Sequence, residues 1–266
     1  MRSAAHPAAQ RPRRHFAPAD FAQCQTLDRS AGPLHRCAHL HPRARASPGA
    51  CSAAVNESLF VTGTDTNVGK TLLSALLVAA LDAAYWKPIQ TGAREGTDRR
   101  TVMQLAEIPE TQTIPESYCF DPPVSPHLAA EASGVRIDLA RIRLPNNLAR
   151  PIIAEGAGGI LVPINDSELM LDLARHLAYP VLIAARAALG TINHTLLTVR
   201  ALGCAKMPVK GVAMIGHRNK DNERSIEHFA AVPVLGSIPW LDTINRETLL
   251  NVFRNNFEQK CFRDAR

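Results

Sequence analysis

Five side chains stand out as groups that could do chemistry together: Lys70, Thr71, Lys87, Asp98 and Glu155. Lys70 and Thr71 close the run Gly63-Thr64-Asp65-Thr66-Asn67-Val68-Gly69-Lys70-Thr71. A glycine-bounded loop that ends in Gly-Lys-Thr reads as a phosphate-binding loop. The first turn of the helix that follows offers unpaired N–H donors and a positive dipole end to phosphate oxygens. Gly69 lets the backbone approach closely, the Lys70 ammonium neutralises β- and γ-phosphates, and the Thr71 hydroxyl completes a Mg²⁺ shell. Five residues, where the simplest pattern has four, separate Gly63 from Gly69, so this is a variant loop.

The other three groups are weaker signals one at a time. Lys87 precedes Pro88 where the strand of 84–92 turns polar, the end at which open α/β sheets place ligands, although a solvated surface lysine fits equally well. Asp98 lies in a polar loop before a short helix over about 101–106, where it is a plausible N-cap; a nucleotide or Mg²⁺ role needs support from elsewhere. Glu155 ends the apolar run 151–154, and the glycine-rich turn Gly156-Ala157-Gly158-Gly159 follows. That is the geometry of a second metal-binding strand, with Glu in a role more often filled by Asp, or else a tight turn at a strand end. His127, Asn193 and His194 sit near helix starts, where capping competes with contact to a carboxylate.

The elements that must carry these groups follow from period and punctuation. Short β-branched or apolar runs at 59–62, 151–154, 181–185, 209–215 and 234–238 read as buried strands. Helices are expected at 71–81, 127–133, 167–177 (Leu169, Leu173 and Leu177 on one face), from the 186–194 region to about 202, at 223–230 and at 246–257, the last with Leu249, Leu250, Phe253 and Phe257 inward. Residues 109–126 hold five prolines and read as an extended connection wrapping the surface, and 239–241 as a rim. Strands alternating with helices, joined by right-handed crossovers, imply an α/β fold of P-loop NTPase type: a mostly parallel sheet with helices on both faces.

Composition narrows the partners. The 266 residues carry 30 basic and 24 acidic side chains, but eight Arg and only Asp20 and Asp28 fall in 1–55, leaving 22 of each sign in 56–266. The domain is therefore neutral, and nothing in it calls for nucleic acid. The longest apolar stretch, 72–81, falls well short of the roughly twenty residues a membrane span needs, so no membrane partner is expected. Cysteines at 24, 37, 51, 119, 204 and 261 show no Cys-x-x-Cys spacing, which points to a reducing compartment, the cytoplasm by default. The division expected is a disordered leader over 1–56, a P-loop domain over 57–258 and a tail over 259–266. Three readings compete for the leader: a transit peptide, which would leave organelle import open; a basic tail; and translated upstream sequence. Its six prolines and five histidines, which interrupt any amphipathic helix, favour the last, and leave His35, His39 and His41 as incidental rather than metal ligands.

Taken together, the blocks Gly-Thr-Asp-Thr-Asn-Val-Gly-Lys-Thr at 63–71, Tyr-Trp-Lys-Pro-Ile-Gln-Thr-Gly at 85–92, Ser-Pro-His at 125–127, Glu-Gly-Ala-Gly-Gly at 155–159, Leu-Gly-Thr-Ile-Asn-His-Thr-Leu-Leu-Thr at 189–198 and Ile-Pro-Trp-Leu at 238–241 resemble dethiobiotin synthetases over about 58–257. The resemblance implies an ATP- and Mg²⁺-dependent ligase that joins CO₂ to 7,8-diaminononanoate through a carbamate and its phosphoric anhydride. It makes Lys87 and Lys70 catalytic. Mg²⁺ would be held by Thr71, Asp98 and Glu155. ATP would meet Asn67, Val68, Gly69, Lys70, Thr71, Leu72, Asp98, Glu155, Gly156, Ala157, Gly158 and Gly216, with Pro239, Trp240 and Leu241 bordering the base. Thr66 and Thr91 would bind the diamine side. Leu189, Gly190 and Asn193, from the opposite subunit of a homodimer, would receive the substrate carboxylate. Ile215 stands where many members carry an asparagine near the adenine. The runner-up is a ParA- or MinD-like switch ATPase, which would usually carry an extra lysine early in the loop, where this chain has Gly63-Thr64-Asp65-Thr66. A cobyrinic-acid-type amidotransferase would need a glutaminase domain for which the residues after Glu155 leave no room. All of this requires the Lys70 and Lys87 ammonium groups and the Asp98 and Glu155 carboxylates to meet around one pocket.

Overall fold

The computed structural model describes residues 58–145 and 149–262; the leader over 1–56, with its histidines and three cysteines, lies outside the described residues. Seven strands form one sheet in the order β4-β2-β6-β1-β7-β8-β9. They are β1 (Leu59–Gly63), β2 (Ala84–Trp86), β4 (Thr113–Ile114), β6 (Ile152–Gly159), β7 (Val181–Arg186), β8 (Val209–Ile215) and β9 (Val234–Ile238). Every pairing is parallel. The order reverses at β1, whose neighbours β6 and β7 lead away in opposite directions, so the C-terminal end of β1 is a switch point where such sheets leave a crevice.

Strand alternation divides the core into two layers. On one face Leu59, Val61, Tyr85, Ile153, Leu182, Ala184, Ala213 and Ile215 pack with α1 (Lys70–Leu81), α2 (Asp98–Ala106) and α7 (Arg246–Asn256). On the other, Phe60, Trp86, Ala154, Ile183, Val212 and Met214 pack with α3 (Pro126–Ala132), α4 (Met170–Leu177), α5 (Thr191–Cys204) and α6 (Lys220–Ala230). Helix α1 is buried along nine of its residues, as suits a helix laid on the sheet and covered by α2 and α7.

Several expected boundaries move. The run over 84–92 is not one strand: after Pro88, β3 (Ile89–Gln90) leaves the main sheet and pairs with β5 (Tyr118–Cys119). The proline-rich connection over 109–126 thus supplies β5 and the edge strand β4 as well as wrapping the surface. Helix α2 starts at Asp98 itself, because the Thr97 hydroxyl caps it by accepting from the Arg100 N–H; Asp98 is the first helical residue, not the cap. The glycines after Glu155 do not turn at once. Strand β6 runs on to Gly159, and a register shift against β1 between Val61 and Gly63 absorbs the extra residues. Helix α4 begins at Met170, not 167, since the Asn165 carboxamide oxygen accepts from the Ser167 and Glu168 N–H groups and holds them in a turn. Helix α6 begins earlier, at Lys220, because Asn219 caps the N–H groups of Asp221 and Asn222. Residues 259–262 are no tail: Cys261 and Phe262 are buried, with Phe262 edge-on to Phe253 and Phe257.

Candidate active site

The loop between β1 and α1 is shaped by its own sequence. Asn67 and Gly69 take left-handed backbone conformations, at φ 56° and 95°. A side chain at Gly69 would press on Ile215, with a Cβ 2.9 Å from its Cγ2, so glycine is required there both by φ and by the close approach of β8. The chain then enters α1 with Lys70 as its first residue. Lys70 curls back over the loop and donates to the Asp65 carbonyl at 3.0 Å. The Asp65 carboxylate in turn pairs with Arg186 at the end of β7, 3.1 Å away.

Four charged groups from separate elements converge beside this loop. Lys87, 5% exposed at the end of β2, lies 3.0 Å from Glu155 Oε1 and makes a close ion pair with Asp98. Glu155 is 1% exposed in the middle of β6. The Thr71 hydroxyl lies 2.9 Å from Asp98 Oδ1 and 3.1 Å from Glu155 Oε1, sharing one proton between them. Gln90 fixes the start of α2, its side-chain oxygen accepting from the Asp98 N–H at 3.0 Å while its amide nitrogen donates to the Thr91 carbonyl. Both lysines are buried, yet they titrate oppositely. Burial lowers the Lys70 pKa to about 8, because its hydrogen-bond partner is a neutral carbonyl and the Glu155 charge only partly compensates. For Lys87 burial acts the same way, but the touching carboxylates of Glu155 and Asp98 outweigh it and hold the pKa above the ordinary lysine value. Burial would raise the Asp98 carboxyl, and Lys87 overrides that and holds it low.

A cavity of about 780 Å³ is lined by Thr66, Asn67, Gly69, Lys70, Thr71, Lys87, Thr91, Asp98, Glu155, Ala157 and Gly158, all singled out from the sequence. Sequence reasoning did not single out Gln90, Pro123, Val124 and Val162, which also line it; Gln90 lay inside a block already quoted, at a strand end, and was the one that could have been found. Val68 and Leu72 turn toward the core on the α1 face, and Gly156 is packed against Phe60. Gly216 and Trp240 stand on the far side of Gly69, toward β8 and β9, with the indole carbons 3.7 Å from where a Gly216 Cβ would be; Trp240 is 71% exposed, between Pro239 and Leu241. Leu189, Gly190 and Asn193 are exposed at the start of α5 and are not brought into this cavity. His194 and, further along α5, Leu197, Thr198 and Ala201 line a second cavity of about 500 Å³, with Thr64, Asp65, Thr66 and Val162; Thr66 and Val162 border both. His127 makes a 3.1 Å hydrogen bond with the Ser125 hydroxyl.

Among the described residues there is no cluster of three or more His, Cys, Asp and Glu side chains able to hold a metal alone. The Thr71, Asp98 and Glu155 oxygens nevertheless fit Mg²⁺, which binds through one or two carboxylates and completes its shell with water and phosphate oxygens. No helix among the described residues is long and apolar enough to cross a membrane.

A profile of the AAA domain family matches residues 57–248. The chain is 46% identical over 203 residues to the ATP-dependent dethiobiotin synthetase BioD of Brucella ovis, covering 76% of this chain and 95% of that protein. It is 43% identical over 208 residues to the protein of the same name from Rhodopseudomonas palustris, covering 78% and 97%. Among solved structures, a ParA family ATPase from Chlorobium tepidum superposes with a TM-score of 0.44 at 14% identity, covering 74% of this chain and 90% of that one.

Proposed function

Since the chain belongs to the ATP-dependent dethiobiotin synthetases, ligases of biotin biosynthesis, we propose that its cavity carries out carboxylation and ring closure of 7,8-diaminononanoate. One amine takes up CO₂ as a carbamate, whose oxygen attacks the γ-phosphorus of ATP and expels ADP. The second amine then attacks the carbonyl carbon of the mixed anhydride and expels phosphate, leaving a cyclic urea. The protein need supply no covalent nucleophile; alignment, charge and exclusion of water suffice.

The observation that carries this reading is the meeting of Lys70, Lys87, Asp98 and Glu155 at the N-terminus of α1. A carbamate and a triphosphate repel each other, and two ammonium groups in a buried site lower the barrier most where that charge is concentrated. Lys70 serves the β- and γ-phosphates. Lys87, kept fully charged by its carboxylate neighbours, meets the carbamate and the transferred phosphoryl group. Mg²⁺ held by Thr71, Asp98 and Glu155 supplies further neutralisation of the triphosphate. Asn67, Val68, Gly69, Leu72, Gly156, Ala157 and Gly158 cradle the phosphates, and Gly216 with Pro239, Trp240 and Leu241 borders the base. Thr66 and Thr91 face the diamine. Leu189, Gly190 and Asn193, exposed in the single chain, suit a role across a homodimer interface, receiving the substrate carboxylate of the neighbouring subunit.

The deciding assay supplies purified protein with ATP, Mg²⁺, bicarbonate and 7,8-diaminononanoate and scores ADP release. Release that depends on the diamine is expected; hydrolysis indifferent to it and stimulated by DNA or lipid would overturn the reading in favour of a switch ATPase.

A further inference from the structure

One buried ionisable group in the site has no task in that chemistry. Tyr85 is fully buried in β2, two residues before Lys87 and therefore on the same face of the strand. Against β6, Tyr85 stands opposite Ile153 and Trp86 opposite Ala154, so Glu155 is the diagonal neighbour, within reach of an aromatic side chain. The Tyr85 hydroxyl donates to Glu155 Oε2 at 3.0 Å. Glu155 Oε1 is the oxygen that meets Lys87, at 3.0 Å, and Thr71, at 3.1 Å. The two carboxylate oxygens are thus divided, one facing the cavity groups and one tied back to the sheet. An ordinary phenol, with a pKa of about 10, keeps its proton throughout the neutral range, so this buried hydroxyl donates to the carboxylate.

We propose that Tyr85 is a positioning residue for the reaction: its hydroxyl anchors Glu155 Oε2 so that Oε1 is presented to Thr71, Lys87 and the cation. The roles of those partners rest on the function proposed above. Thr71 and Lys87 are drawn by the reaction to the cation and the phosphoryl group, and neither can also serve as a fixed support for Glu155. Tyr85 is fully buried and does not line the cavity, so of the three side-chain donors to Glu155 it is the one set back from the substrates. A carboxylate held on one side only can rotate away, and loss of such an outer support costs on the order of 10–100-fold in metal affinity or rate.

The test compares Tyr85→Phe with Trp86→Phe, a neighbour in the same strand on the opposite face that also loses one hydrogen bond, a partly buried one from Nε1–H to the Pro115 carbonyl at 3.1 Å. Mn²⁺ binding in the presence of a non-hydrolysable ATP analogue is read by EPR, alongside kcat, the KM for the diamine and the thermal midpoint. Tyr85→Phe is expected to weaken Mn²⁺ binding and lower kcat by about tenfold or more with the diamine KM changed by less than about threefold. Trp86→Phe should lower the thermal midpoint at least as much while leaving Mn²⁺ affinity and kcat near wild type. In a Glu155→Gln background, Tyr85→Phe should add little further loss, because it acts through that carboxylate. Wild-type Mn²⁺ affinity and kcat in Tyr85→Phe, or equal losses in both aromatic variants, would overturn the proposal. Absence of diamine-dependent turnover in the wild type would sink the proposed function instead, and the Mn²⁺ arm would still read Tyr85.

Discussion

Lys70 and Lys87 show how position, not residue type, sets what an ammonium group can do. Lys87, wedged between two carboxylates, stays charged across the working range. Replacing it by alanine leaves Glu155 buried beside fewer donors and, on the proposed function, would remove the countercharge at the transferred phosphoryl group. Lys87→Ala is expected to lower kcat by at least about a thousandfold, a barrier increase of roughly 4 kcal/mol, with far-UV CD unchanged; near-normal ring closure in that variant would remove its assigned role. Lys70, with its pKa lowered to about 8, loses charge within reach of ordinary buffers. Between about 8 and the ordinary lysine value of 10.5 the unfolded chain binds the proton and the folded one does not, so this group costs stability below about 8 and that cost is lifted as pH rises. Nucleotide binding moves the opposite way, since the ammonium that meets phosphate is lost over the same range. The Kd for ADP is expected to be flat from pH 6.5 to 7.5 and to rise above 8, measured by calorimetric titration; a flat curve to pH 9.5 would contradict the Lys70 assignment.

At the scale of elements, the site depends on where strands and helices stop. Thr97 caps α2 one residue before Asp98, which puts that carboxylate in the first turn, facing Lys87. The prolongation of β6 through Gly159 keeps Glu155 inside the sheet, where neighbouring strands fix it, instead of at a mobile end. Far from the site, the turn over Gln259–Cys261 brings Phe262 against Phe253 and Phe257, closing the α7 face. Phe262→Ala is expected to destabilise the domain by about 3 kcal/mol or more through the lost burial and the cavity it leaves. Denaturant unfolding would show a loss below about 1 kcal/mol if those residues were a dispensable tail.

For the molecule as a whole, the strand order separates two tasks across β1. Lys87, Asp98 and Glu155 stand on the β6 and β2 side, while Ile215, Gly216 and Trp240 stand at the ends of β8 and β9 on the other. On the proposed function, a nucleoside triphosphate spanning the loop with its γ-phosphate toward Lys87 would point its base toward Trp240. Of the polar side chains just beyond Ile215, Arg218 is engaged with Glu223 and Asn219 with the start of α6, while His217 stands edge-on to Trp240. On the proposed function, stacking on the exposed indole would contribute about 1–3 kcal/mol to holding the base. Trp240→Ala is expected to raise the KM for ATP by about tenfold and leave kcat within about threefold; initial rates over a range of ATP concentrations would expose an unchanged KM.

What the sequence determined by itself is the chemistry that short-range geometry writes down: the loop that must use glycine, the lysine at the mouth of the helix, the alternation that buries six of the seven parallel strands, and Lys87 at a strand end. Those features depend on neighbours a few residues away, so type and spacing disclose them. Only the tertiary structure decided that Tyr85 holds Glu155 across 70 residues of chain, that Lys87 reaches the same carboxylate across 68, and that Thr71 reaches it across 84. The ends of β6 and α2, and the burial of Phe262, belong with these. Each is settled by cross-strand register and by what packs above the sheet, and a linear pattern carries no measure of either.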